Sequence, residues 1–165
     1  MSIFPTKVLL ATDGSEVADL AARTAAELAA KTGSELHVVH VFDITPWYPA
    51  YPEGGGFGAV EMEDPVLLEE DLQRTSEQRA RELLDAEVEK LRSLGGTLAQ
   101  AHLAEGGASQ EIVRLAEEIG AGLIVMGSRG RGGIRRALMG SVSDSVVRHA
   151  HCPVMVVRQE KERAV

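Results

Sequence analysis

The sequence predicts an α/β fold of the Rossmann-like, three-layer α/β/α type, with a five-stranded parallel sheet between two layers of helices. Short apolar segments alternate with helical segments along the chain, in the order β-α-β-α-β-α-β-α-β. The apolar segments are nearly continuous, which is typical of strands that are covered on both faces. Right-handed crossovers between parallel strands limit the possible topologies, and among these we expect the Rossmann-like strand order 3-2-1-4-5.

The first strand is predicted over Lys7–Asp13 and is followed by a turn. Ser15 is a residue type that caps helices, so a helix is expected from about Glu16 to Lys31. Gly33 follows where a glycine commonly ends a helix. The predicted inner face of this helix consists of its alanines with Leu20, Thr24 and Leu28.

A second strand is predicted over Glu35–Phe42 and is followed by a variable loop over residues 43–65. Four prolines and four glycines in this segment exclude regular structure. A loop of this length in a compact domain is typically a lid, a binding loop or disordered. It contains the aromatic residues Trp47, Tyr48 and Tyr51, for which we favour an exposed position.

Apolar residues at steps of three and four predict a long amphipathic helix over Val66–Leu94. Its predicted inward residues are Leu68, Leu72, Ala80, Leu84, Val88 and Leu91. A weaker strand follows over Thr97–Glu105, and Ser109 is expected to cap the next helix. The inward residues of that helix are predicted to be Ile112, Val113, Ala116 and Ile119.

The remaining strands are predicted over Gly122–Met126 and Pro153–Val157, with a helix from Ser141 to about Ala150 between them. Residues 159–165 are expected to form a frayed tail. With 165 residues and no internal repeat, the chain is predicted to form one domain over residues 1–165.

A basic, glycine-rich segment over residues 127–143 connects the fourth strand to the fourth helix. No Asp or Glu lies between Glu118 and Asp144, although the net charge of the chain is −8. Four arginines fall in the segment: Arg129, Arg131, Arg135 and Arg136. Glycines admit close approach to the backbone, and a helix start offers free N–H groups, so the segment predicts a site for a small polyanion.

The strand order reverses between the first and fourth strands, and ligands of such folds bind outside the carboxyl ends of the strands at this point. Asp13 and Gly127 both fall there. The P-loop pattern is missing from the sequence. The dinucleotide fingerprint also fails, because its third glycine would fall on Val125 or Arg135.

Composition limits the partners and the compartment. The acidic balance argues against a general nucleic-acid binder, which would carry a basic face. Cys152 is the only cysteine, so no internal disulfide can form, as in proteins of reducing compartments. The apolar stretch near the N-terminus is too short for a signal sequence or a membrane anchor. We therefore expect a cytoplasmic protein that binds neither nucleic acid nor membranes.

The spacing Gly127-x-x-Gly130, nine residues, then Gly140-Ser141 resembles the nucleotide motif of the universal stress protein family, in its ATP-binding branch. Four segments at the expected strand and helix ends carry the resemblance: Thr12–Ser15, Leu123–Gly127, Gly140–Ser143 and Cys152–Val157. The resemblance implies ATP binding, since family members that lack these glycines do not hold ATP.

Carried over by position, the resemblance also implies roles for individual residues. Thr12 and Asp13 would lie beside the ribose and base, and Val41 and Met126 would line the adenine. The loop and phosphate site would comprise Gly127, Ser128, Arg129, Gly130, Gly140, Ser141, Val142 and Ser143. A Mg or Mn ion would accompany the triphosphate, held mainly by the phosphates, and the last strand, Val154–Val157, would form a homodimer.

No catalytic residues are predicted. His37 and His40 lie three apart on a strand, so they face opposite sides and cannot chelate one metal. The sequence contains no recognisable triad or base that would position an attacking water. We expect a nucleotide-dependent regulatory protein with little hydrolysis. The alternatives are a slow ATPase or nucleotidyl transferase, a structural dimer without ligand, and a site that prefers AMP or cyclic AMP.

Overall fold

A computed structural model of the protein describes residues 2–44, 65–95, 97–130 and 139–159, and the side chains of these residues except those of 65–68. Most of the loop predicted at 43–65, including Trp47, Tyr48 and Tyr51, lies outside the described residues. So do Arg131, Arg135 and Arg136, and nearly all of the predicted tail. The elements in chain order are β1 Lys7–Ala11, α1 Glu16–Thr32, β2 Glu35–Phe42, α2 Pro65–Ser93, β3 Leu98–Glu105, α3 Ala108–Ile119, β4 Leu123–Gly127, α4 Ser141–His149 and β5 Val154–Val157.

The five strands form one parallel sheet in the order β3-β2-β1-β4-β5, which confirms the predicted topology. The central strand β1 pairs with β2 on one side and with β4 on the other. At its end, Ala11 pairs with Val39 of β2 and with Met126 of β4. The carboxyl ends of these three strands therefore meet at one edge of the sheet.

Successive residues of each strand enter two different cores. Val8 and Leu10 pack against α1 and α2, where Leu84 and Leu91 of α2 are buried. Leu9 and Ala11 pack on the other face against α3 and α4. The arrangement is the predicted three-layer sandwich. None of the helices in the described part of the chain is long and apolar enough to cross a membrane.

The fully buried residues of α1 are all alanines: Ala18, Ala21, Ala22, Ala25, Ala26 and Ala29. Leu28, as predicted, packs partly buried against the same core. The prediction that Leu20 and Thr24 belong to this face was wrong. Leu20 is 38% exposed and Thr24 is half-buried, because the small alanine face lets the helix approach the sheet closely. The predicted ends are confirmed. The Ser15 side chain accepts a hydrogen bond from the Ala18 N–H, and Gly33 ends the helix with a φ of 67°.

Two further predictions about helices were wrong. The first residue of α3 is Ala108 and its N-cap is Gly107, so Ser109 lies in the first turn and is not the cap. In α2, Leu72 is 45% exposed although it was predicted to face inward. With 29 residues α2 spans about 43 Å, whereas a strand of eight residues spans about 27 Å, so its first turns extend beyond the sheet.

Two histidines meet below α3, on neighbouring strands. The Nδ1 atom of His37 in β2 lies 3.2 Å from the Nε2 atom of His102 in β3, and the ring centroids are 5.5 Å apart. Each ring nitrogen is about 1.1 Å from its centroid, so the two nitrogens face each other head-on and share one hydrogen bond. There is no room between them for a metal ion, which needs about 2.0 Å to each nitrogen.

His102 is expected to make the stability of the protein depend on pH. Burial, and secondarily the neighbouring His37, lower the pKa of His102 below its ordinary value of about 6.5. The unfolded chain then binds more protons just below about pH 6.5, so the free energy of unfolding falls as the pH drops through this range. We expect His102→Gln, which cannot titrate, to lose this part of the pH dependence. Urea titrations of both proteins between about pH 8 and pH 5 test it, and parallel profiles would contradict it.

Candidate functional site

A cleft of about 480 Å³ opens at the carboxyl ends of β1, β2 and β4. All of the predicted site residues except Ser128 line it. Their segments are separated in sequence and meet because the sheet order places β1 between β2 and β4. The cleft has an apolar half and a polar half, formed by different elements.

The apolar half combines the two predicted residues Val41 and Met126 with side chains that were not predicted. The additional apolar lining residues are Ala11, Ala18, Val39, Ala108, Ile112 and Met139. Ala108 and Ile112 come from the first turns of α3, which begins at the same edge of the sheet. Their position follows from the topology, because the helix after each parallel strand starts beside that strand's carboxyl end. An apolar wall of this kind suits a flat aromatic base.

The polar half is formed by the start of α4. Its N-cap is Gly140, which makes no side-chain capping hydrogen bond. The first intrahelical bond joins the Asp144 N–H to the Gly140 carbonyl at 3.0 Å. The N–H groups of Ser141, Val142 and Ser143 precede it, so the helix supplies them with no acceptor. All three residues line the cleft, where such a helix start favours an anion.

Internal hydrogen bonds hold this helix start against the loop after β4. The Gly140 N–H donates to the Ser128 carbonyl at 2.7 Å. The Ser143 hydroxyl lies 3.0 Å from the same carbonyl and 3.1 Å from the Gly140 carbonyl, and the residue is 2% exposed. The Ser128 N–H in turn donates to the Val157 carbonyl of β5 at 2.8 Å. Ser128 and the Ser143 hydroxyl therefore shape the loop, and the Gly140 N–H is used in a hydrogen bond within the protein.

Asp13 both forms the turn after β1 and lines the cleft. Its Oδ1 atom accepts a hydrogen bond from the Ser15 N–H at 3.0 Å. Its Oδ2 atom would lie 2.6 Å from a β-carbon on Gly130, so the carboxylate lies directly against that glycine. The preceding residue, Thr12, is buried, and its hydroxyl accepts from the Gly14 N–H at 3.2 Å. A side chain on Gly130 would require the Asp13 carboxylate to move.

Gly127 is required by packing. A β-carbon on this residue would lie 2.9 Å from Cγ1 of Val17 and 3.2 Å from the Val17 carbonyl carbon. The start of α1 thus lies directly against the end of β4. The first glycine of the motif keeps the floor of the cleft and the α1 layer in contact.

The charges of the described lining residues cancel, because Asp13 and Arg129 are its two ionisable members. A polyanion would therefore depend on the main-chain N–H groups and on further cations. Within the described ranges, no cluster of three or more His, Cys, Asp or Glu residues could hold a metal ion. The three other arginines of the basic segment lie outside the described residues.

The family model described as the universal stress protein family matches residues 5–158. A universal stress protein of Methanocaldococcus jannaschii is 33% identical over 156 residues, which cover 94% of this chain and 84% of that protein.

Solved structures agree in fold. A universal stress protein UspA from Lactobacillus plantarum superposes with a TM-score of 0.74 at 22% identity, over 94% of this chain and 99% of that chain. A universal stress protein in complex with cAMP gives a TM-score of 0.65 at 22% identity, with the same coverage of both chains. One from Archaeoglobus fulgidus in complex with dAMP gives 0.58 at 28% identity, again over 94% and 99%.

The family model spans nearly the whole chain, and the matched relative exceeds 30% identity over most of its length. The chain belongs to the universal stress protein family.

Proposed function

We propose that the protein binds ATP and acts as a nucleotide-dependent regulatory protein in the cytoplasm. The observation that carries the proposal is the meeting of an apolar wall and an uncapped helix start in one cleft. These are the surfaces that a base and a phosphate chain need. The related structures in complex with cAMP and dAMP support an adenine nucleotide as the ligand.

In this proposal the adenine lies between Val41, Met126 and the start of α3, and the ribose lies beside Thr12 and Asp13. The phosphates lie at the N–H groups of Ser141–Ser143. The described lining carries no net charge, so the proposal includes a Mg or Mn ion with the triphosphate. That ion would be held mainly by the phosphates, with no dedicated protein ligands.

Calorimetric titration of the purified protein with ATP, ADP, AMP and cyclic AMP, each with Mg, tests the proposal. We expect ATP to bind most tightly, because its β- and γ-phosphates add contacts at the helix start. Tighter binding of AMP or cyclic AMP would favour the alternative ligand. Absence of heat and of a thermal shift with all four would favour a structural protein. Mass spectrometry of the protein as purified identifies any nucleotide that accompanies it.

We propose binding rather than turnover as the purpose of the site. Asp13 already accepts a hydrogen bond from Ser15, and its other oxygen lies against Gly130. The described lining holds one carboxylate, Asp13, and one arginine, Arg129, and the carboxylate is already engaged in the turn after β1. Little phosphate release is therefore expected from the protein with ATP and Mg. Rapid release would favour a slow ATPase or nucleotidyl transferase.

We also propose a homodimer through β5, which lies at the edge of the sheet. The Val157 carbonyl of β5 accepts from the Ser128 N–H at 2.8 Å, and the Pro153 carbonyl accepts from the Ile124 N–H at 3.0 Å. In a parallel ladder, alternate residues bond to the neighbouring strand. The main-chain groups of Val156 therefore point away from β4, toward the open edge. There they are available to a second copy.

Val156→Pro is expected to convert the dimer to a monomer without loss of the fold. Proline removes the outward N–H, and edge strands tolerate proline where that group faces away from the sheet. Val156→Thr keeps the N–H and is the matched control. Sedimentation velocity measures the outcome. A monomeric wild-type protein, or a proline variant that remains dimeric, would contradict the proposed interface.

A further inference from the structure

One histidine that does not line the cleft contacts a residue that does. His40 lies near the end of β2, and its Nδ1 atom is 2.8 Å from the Thr12 carbonyl oxygen. A carbonyl oxygen only accepts, so Nδ1 carries the proton and donates. Thr12 is buried and is the first residue after β1.

The hydrogen bond from His40 lies where the ladder between β1 and β2 ends. The Thr12 N–H donates to the Val39 carbonyl at 3.0 Å, which continues the regular parallel ladder by one rung beyond β1. The next rung of such a ladder would join the Val41 N–H to the Thr12 carbonyl. At this rung the carbonyl accepts from the His40 imidazole. A side chain thus takes part where main-chain pairing of the two strands ends.

The position of His40 in the strand separates it from the ligand. Val39 and Val41 line the cleft, and His40 lies between them in an extended strand, so its side chain is on the opposite face of the sheet. It does not line the cleft itself. It connects the turn that carries Thr12 and Asp13 to the segment of β2 that carries Val41.

We propose that His40 is a positioning residue that sets the distance between Val41 and the Thr12–Asp13 turn, and so fixes the base and ribose half of the cleft. The inference rests on the proposed function. The inference also assigns different roles to two parts of the site. His40 governs affinity for the nucleoside part of every ligand, whereas the start of α4 governs affinity for the phosphates.

The test compares His40→Ala with His40→Asn, because the asparagine amide places an N–H close to where Nδ1 was. We expect His40→Ala to weaken ATP and adenosine alike, by about tenfold, and His40→Asn to stay within about threefold of the wild type. The matched control is His151→Ala. His151 Nε2 lies 3.1 Å from the Ala121 carbonyl, and this similar bond lies near the amino ends of β4 and β5, away from the cleft. Its loss is expected to leave both affinities unchanged.

A second measurement needs no ligand. Hydrogen exchange of the free protein over residues 12–18 is expected to be faster in His40→Ala and restored in His40→Asn. If the wild type binds no adenine ligand, the proposed function fails, and exchange alone decides whether His40 positions the turn. Wild-type exchange in His40→Ala overturns the inference. So does an equal loss of affinity in His151→Ala, which would reveal a general effect of lost stability.

Discussion

Replacing Gly140 with valine is expected to weaken ATP binding by at least about 100-fold, or about 2.7 kcal/mol, in a protein that still folds. Gly140 has a φ of −75° and a ψ of 165°, which any residue can adopt. A β-carbon there would lie 3.4 Å from the Ser128 carbonyl oxygen and 3.6 Å from the Arg129 Cα atom. The β-carbon therefore fits, and because Gly140 lines the cleft, we expect the two further methyl groups of valine to extend into it. They would fill the volume proposed for the phosphates.

Two comparisons separate this steric effect from damage to the fold. Gly140→Ala adds only the β-carbon that the structure accommodates, so it is expected to retain most of the affinity for ATP. Adenosine has no phosphates, so its affinity should change little in Gly140→Val. Calorimetry with both ligands and thermal unfolding of each variant provide the measurements. If Gly140→Val is folded and binds ATP as tightly as the wild type does, the phosphates do not bind at this helix start.

Hydrophobic patterning was sufficient for the order of the elements along the chain, because that order depends on which segments are apolar. The order of the strands in the sheet came from the Rossmann-like topology that this alternation favours. It could not identify the face of α1, where alanines are buried and Leu20 is exposed. The size of the side chains decides that face, since it determines how closely a helix approaches the sheet. The contact of His37 with His102 depends on register. A shift in pairing between Leu36 and His37 displaces β3 relative to β2, and the sequence carries no signal of it.

The glycine spacing located the candidate site, because glycines without side chains are needed wherever loops approach each other or a ligand. It could not assign the direction of hydrogen bonds. The Ser143 hydroxyl and the Gly140 N–H donate to main-chain carbonyls of the protein. Within the described residues, the N–H groups at the start of α4 are the donors that have no acceptor inside the helix. Three-dimensional contacts also separate Gly130, which lies against a carboxylate, from Gly127, which lies against a helix.

Gly127→Ala is expected to lower the free energy of unfolding by about 1–3 kcal/mol, as when an atom is inserted into a packed interior. The added β-carbon would meet Cγ1 of Val17 at 2.9 Å and the Val17 carbonyl carbon at 3.2 Å, so α1 has to move away from β4. Urea unfolding measures the loss. Gly140→Ala, whose β-carbon makes only ordinary contacts, is the control and should lose less stability than Gly127→Ala, since its cost is limited to that of alanine at an N-cap.

The cause of that loss can be tested in the same background. Val17→Ala removes Cγ1 but leaves the main chain, so the double variant Gly127→Ala/Val17→Ala should recover part of the stability that the single substitution loses. Non-additivity of this kind indicates direct contact between two positions. Additive losses would show that the contact with Cγ1 of Val17 is not the cause of the loss. Partial recovery would make the first glycine of the motif a packing residue of the α1 layer. ATP affinity would then depend on Gly127 through the floor of the cleft rather than through direct contact with the nucleotide.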